Sequence, residues 1–147
     1  MQGQDSRRSS GRLRWWGATA ALAWAMAAAT AWAIDVPVTL SGNAESPPVT
    51  SSGTASGRFT INTDGTITGG ITTSDVAASG ANLHEGAVGV NGPVVLQLVK
   101  RGQYDWVVPD GARLSDAHYK SFQAGNLYVN VPTATQPDGE LRAQLRP

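Results

Sequence analysis

The chain has 147 residues, with 11 basic and 11 acidic side chains and no cysteine. That length suits one domain behind a targeting segment. The lack of cysteine excludes disulfides, thiolate metal sites and cysteine nucleophiles.

Residues 1–33 read as a secretory signal peptide. Arg7, Arg8, Arg12 and Arg14 stand against Asp5 alone, Trp15 to Trp32 carries no charge, and Ala31-Trp32-Ala33 is a small-x-small site. A basic start, an apolar run and an Ala-x-Ala site are the three parts of such a signal. The alternative is an uncleaved membrane anchor over residues 15–33. That run is near the lower limit for spanning a bilayer, and alanine drives insertion less than leucine does. Ser6-Arg7-Arg8 is similar to a twin-arginine export signal, but Ser9, Ser10 and Gly11 stand where apolar residues should follow. The expected location is therefore outside the cytoplasm, periplasmic or secreted. Cleavage leaves seven basic and ten acidic residues, a net charge of about −3. Such a surface does not attract nucleic acid or anionic lipid. The expected partner is an extracytoplasmic protein or surface ligand, with membrane contact only through an uncleaved N-terminal segment.

Residues 34–147 read as one all-β domain. Val36 to Leu40 is the first strand, and Pro37 places it at an edge. Glu45-Ser46-Pro47-Pro48 is a stiff extended connector. Thr54 to Ile61 is the second strand, with Phe59 and Ile61 inward. Asn62-Thr63-Asp64-Gly65 is a hairpin turn, since Asp-Gly supplies the positive φ such turns need. Thr66 to Thr72 is the third strand, where Gly69-Gly70 predicts a bulge or bend. A short strand from Ala81 to Gly86 surrounds His84. Gly86 to Pro93 is a surface loop; without a following lysine and helix it is no phosphate cradle. Val94 to Lys100 reads as one strand, and Tyr104 to Val108 as another, shorter one.

Ser115 to Gln123 is the single predicted helix, capped by Ser115, stopped by Gly125, with Leu114, His118 and Phe122 on one face. Leu127, Val129 and Val131 then alternate with Tyr128 and Asn130. Beyond Pro137-Asp138-Gly139, Leu141, Ala143 and Leu145 alternate with Arg142 and Gln144. Each strand has one apolar and one polar face, as in a half-buried hairpin. Short strands separated by turn signals predict an antiparallel Greek-key sandwich or barrel with one short helix.

Few residues offer chemistry, and no catalytic set emerges. Glu45 is a carboxylate on a stiff connector, able to accept backbone N–H bonds, to pair with Arg142, or to pin the connector to the sheet. Glu140 and Arg142 share a face and are expected to pair. His84 reads as a polar residue near the sandwich mouth, bonded to a backbone carbonyl, with Glu85 on the opposite face. His118 has no partner nearby in sequence.

Several of these segments resemble a known family. Leu40-Ser-Gly-Asn-Ala-Glu45-Ser-Pro47-Pro48-Val49 opens the pattern, and Asn82-Leu-His84 with Gly92-Pro93-Val94-Val95 continues it. The run from Ala124 through Tyr128, Asn130, Gly139, Glu140 and Arg142 to Leu145 closes it. Together they resemble the chordin-type (CHRD) domain. The resemblance implies a sandwich likened to copper–zinc superoxide dismutase, acting as an exported, non-catalytic binding module without a cofactor. It also implies an alternative, a copper- or zinc-binding or superoxide dismutase-like protein. In that case the metal ligands fall at positions 82, 84 and 132, where this chain has Asn82, His84 and Pro132. Only His84 is an imidazole, and a single such ligand leaves most coordination positions unfilled.

Overall fold

The computed structural model describes residues 32–147. The predicted signal segment therefore lies outside the described residues except for Trp32 and Ala33. Two antiparallel sheets face one another. One has the order β1 (Ala33–Leu40), β2 (Thr54–Asn62), β3 (Ile67–Ser74), β7 (Asp105–Val107), β6 (Val99–Arg101). The other has the order β5 (Val94–Gln97), β4 (Asn82–Glu85), β8 (Leu127–Val131), β9 (Leu141–Leu145). The domain is an all-β sandwich and not a closed barrel. Among the described residues no helix is long and apolar enough to cross a membrane.

Alternation in the sequence dictates the core. Val36, Leu40, Phe59 and Ile61 point inward from the first sheet, and Leu83, Val129 and Leu141 meet them from the second. Each fully buried side chain of this size contributes about 1.5–3 kcal/mol, which is why the period of two is obeyed so strictly here. The two sheets touch at one corner, where Ser41 and Arg142 exchange backbone bonds of 3.1 and 3.0 Å. Pro37 does lie on an edge strand, since β1 is outermost in its sheet.

Three sequence expectations are corrected. Val94 to Lys100 is not one strand. It breaks at Leu98, whose N–H bonds to the Ala81 carbonyl at 2.9 Å, and the two halves join different sheets. Gly69-Gly70 makes no bulge, because the β2–β3 register runs through unbroken. These glycines serve close approach instead: a β-carbon would strike the Arg58 carbonyl at Gly69 and the Trp106 carbonyl at Gly70. The one register shift falls between Leu83 and His84, against β5. Finally, the β8–β9 hairpin is not half-buried. Every residue of β8 is buried, and Gln144 alone in β9 is partly open.

The helix α1 (Asp116–Gln123) forms as expected. Ser115 Oγ accepts from the His118 N–H at 3.1 Å. At the far end the Gly125 N–H bonds to Phe122 O and the Asn126 N–H to Ser121 O, the paired bonds of a Schellman stop. Phe122 and Leu114 are buried, while His118 is partly exposed and approaches Glu85 of β4 across 3.8 Å. That partner is distant in sequence, 33 residues away.

Candidate functional site

The outward face of the second sheet carries polar side chains that are nonetheless buried or half-buried. Asn82 and His84 come from β4, Tyr128 and Asn130 from β8, and Arg142 and Gln144 from β9. Pairing of His84 with Tyr128 and of Asn130 with Arg142 sets these residues side by side. Two segments roof them over. One is the connector Glu45–Val49, the other the glycine-rich loop Gly86–Pro93.

Tyr128 is the centre. The His84 ring stacks on one side, with centroids 4.9 Å apart and planes 9° from parallel. The Arg142 guanidinium lies 3.5 Å from the ring centre, from the strand on the other side. Arg142 is 1% exposed, the largest fully buried side chain described. Its Nη2 donates to the carbonyls of Ala87 (2.9 Å) and Val90 (3.1 Å) and to Gln144 Oε1 (3.2 Å), and its Nη1 to Asn91 Oδ1 (3.2 Å). A buried cation demands such partners, and the loop's carbonyls supply them. Asn91 Nδ2 in turn donates to Ser46 O at 2.6 Å, and Ser46 Oγ to Gly89 O at 2.9 Å. The loop is thus tied to the sheet below and to the connector beside it.

His84 does hydrogen-bond a backbone carbonyl. Its Nδ1 lies 2.8 Å from Gly92 O and its Nε2 2.9 Å from Asn130 Oδ1. Asn130 Nδ2 donates to Asp138 O (3.0 Å), which turns Oδ1 toward the ring. The Gly92 N–H donates to Tyr128 Oη at 3.0 Å. Pro93 accepts from the Glu85 N–H at 3.0 Å, and Pro47 and Pro48 lie exposed on the connector.

Asn82, His84 and Pro132, the positions that the resemblance implies for metal ligands, line one cavity of about 350 Å³ with Asn130 and Asp138. The donors present do not fit copper or zinc. Pro132 has no side-chain donor group, Asn82 offers a neutral amide, and the His84 nitrogens face the Gly92 carbonyl and Asn130 Oδ1.

The expected Glu140–Arg142 ion pair does not form. Glu140 accepts instead from Ser51 Oγ (2.6 Å) and Thr133 Oγ1 (2.7 Å), because it sits before β9 and turns toward the hairpin's base. Glu45 is buried at 7% exposure, makes no direct ion pair, and its Oε1 has no hydrogen-bond partner. Burial pushes its carboxyl up to about 7, against the pull of the Arg142 charge and a bond from the Ser46 N–H.

This has a consequence for stability. Between the ordinary carboxylate value of 4.5 and about 7 the folded protein holds a proton that the unfolded chain has released. The contribution of Glu45 to stability is therefore greatest below 4.5, falls as pH rises to about 7, and is flat above. Glu45→Gln keeps the site neutral throughout. It is expected to gain on the order of 2 kcal/mol over wild type at pH 8, and almost nothing at pH 4. Denaturant unfolding of both proteins at the two pH values, in buffer free of divalent cations, checks this.

Sequence reasoning missed Asn91 and Gln144. Their signal was present in part: Tyr128, Asn130, Arg142 and Gln144 share one face of the hairpin. What covers that face is a loop some 50 residues away, which a local pattern does not specify.

Comparison with known proteins agrees with this architecture. The family model described as CHRD domain matches residues 36–145, from the first fully buried residue of β1 to the end of β9. No match was found among curated proteins or solved structures. The matched span takes in both sheets, the roof and the stack beneath it, and the chain belongs to the CHRD domain family.

Proposed function

We propose that this protein is an exported, non-catalytic binding module that recognises an extracytoplasmic protein through the crest of its roof. One observation carries the reading. Val88 and Val90, at 65% and 52% exposure, stand on a loop that is otherwise tied down. Exposed apolar side chains on a rigid loop contribute to binding with little ordering cost. The polar residues beneath support the same reading, since their hydrogen-bonding groups go to holding the loop in place. A net charge of about −3 after signal removal favours protein over nucleic acid or anionic lipid.

The test is capture from culture-fluid and envelope extracts by wild type and by Val88→Asp/Val90→Asp. Both side chains face solvent, so the variant should fold with unchanged melting temperature. A specific partner held by wild type and lost by the variant supports the proposal. The same proteins retained by both would place the binding surface elsewhere, and robust turnover of a simple substrate by the purified protein would remove the non-catalytic reading.

A further inference from the structure

Glu45 borders two cavities. One is a groove of about 420 Å³ that Arg142 and Arg146 also line, the other a smaller cavity of about 200 Å³ beside the β8–β9 turn. Its Oε1 is sealed from water and has no hydrogen-bond partner; it abuts Gly139, where a β-carbon would collide with it. A neutral carboxyl tolerates such a place far better than a carboxylate does. The surrounding charges do not relieve the ionised form. Arg142 of β9 attracts it, but the guanidinium is committed to the Ala87 and Val90 carbonyls, Asn91 and Gln144. Arg146 is exposed. From the turn, Asp138 is a like charge, and Glu140 is held by Ser51 and Thr133. β1 and the covering loop line the groove with uncharged residues alone.

We propose that Glu45 is a pH-operated latch: protonated, it seals the connector against Gly139; ionised, it swings into water with the connector and joins the groove and the smaller cavity into one cleft. The swing parts Ser46 from Gly89 O and Asn91, while Arg142 keeps its hold on Ala87 and Val90. The crest at Val88 and Val90 is thus held more firmly at low pH than at high, a regulatory role that rests on the binding reading as the latch itself does not. Burial raises the Glu45 carboxyl from 4.5 to about 7 in the closed connector, and opening returns it to the ordinary value. Opening is therefore least favoured below 4.5, grows as pH rises to about 7 and levels off above.

The experiment is amide hydrogen exchange at about pH 5 and about pH 8, read as protection factors. The Val49 N–H, bonded to Gly42 O at 2.9 Å, reports the connector, and Val129 of β8 reports the whole fold. Val49 is expected to be less protected than Val129 at both pH values and to lose on the order of 50-fold protection between them. Glu45→Gln, which keeps the shape of the side chain and cannot ionise, should leave Val49 equally protected at both. Unchanged protection at Val49 in wild type, or the same fall in Glu45→Gln, overturns the proposal. So does equal protection at Val49 and Val129, since Glu45 would then be freed only by global unfolding. Carbon-13 titration of the Glu45 carboxyl in wild type needs no variant: a midpoint well above 4.5 is expected, and an ordinary midpoint overturns the latch. None of these readouts involves a partner, so failure here leaves the binding-module reading standing, and the reverse.

Discussion

Arg142→Met is expected to lower the unfolding free energy by about 4 kcal/mol, within the range for breaking a buried charged network. The loss comes from what remains behind. Methionine fills much of the volume, so the loss is not mainly a cavity. The carbonyls of Ala87 and Val90, with Asn91 Oδ1 and Gln144 Oε1, lose their shared donor. The Ala87 carbonyl keeps its bond from the Val90 N–H. Each of the other acceptors left unpaired costs up to about 1–3 kcal/mol, and water admitted from the loop side recovers part of it. Loss of the guanidinium over Tyr128 adds roughly 1–2 kcal/mol. Against this stands the cost of desolvating the guanidinium, which the variant avoids. Arg142→Lys should lose at least half as much, since an ammonium cannot reach several acceptors as a planar fork does. Urea unfolding at pH 6 measures both. A loss below about 1 kcal/mol in Arg142→Met would mean that the network contributes little beyond packing.

Gly92→Ala is expected to cost about 3 kcal/mol, by overpacking against backbone. A β-carbon at Gly92 would fall on the Glu85 carbonyl oxygen. That oxygen cannot easily yield, because the Glu85 N–H is bonded to Pro93 O just beyond. The loop must lift instead, breaking the contacts of Gly92 with His84 and Tyr128 together. Gly92→Ala and Arg142→Met release the same loop. Their combined effect should fall short of the sum by 1 kcal/mol or more, as in coupled networks (~0.5–3 kcal/mol). Chemical unfolding of the two single variants and the double variant gives the coupling.

The legible parts of this molecule are those set by local pattern. Phe59 and Ile61 alternate with charged or polar neighbours, so β2 could be placed to within one residue. Ser115 and Gly125 bracket the helix for reasons internal to the segment. The end of one strand and the start of the next within Val94 to Lys100 were not legible. Val-Val-Leu-Gln-Leu-Val-Lys suits a single strand as well as two. The break is made by Leu98 bonding to Ala81, a partner whose place depends on how the sheets stack. The polar face of the hairpin failed for a related reason. Alternation says that Tyr128, Asn130 and Arg142 share a face, and it reads that face as solvated. The roof comes from residues 45–49 and 86–93, and nothing near the hairpin announces it. Arg142 was expected beside a carboxylate because opposite charges on one face usually pair. Here backbone carbonyls of the covering loop take that role.

The glycine-rich loop is an exposed segment locked onto the second sheet, held by the stack beneath it. Amide hydrogen exchange at Gly92 reads this lock. Its N–H is bonded to Tyr128 Oη, so it can exchange only when the roof lifts. In wild type Gly92 is expected to exchange nearly as slowly as Val129 and Ala143 in the hairpin. In Arg142→Met it should exchange at least about 100-fold faster, while those two strand amides accelerate only by the loss of global stability. Wild-type exchange at Gly92 as fast as at an open surface loop would mean that the loop is a mobile flap, and the polar face only its resting place.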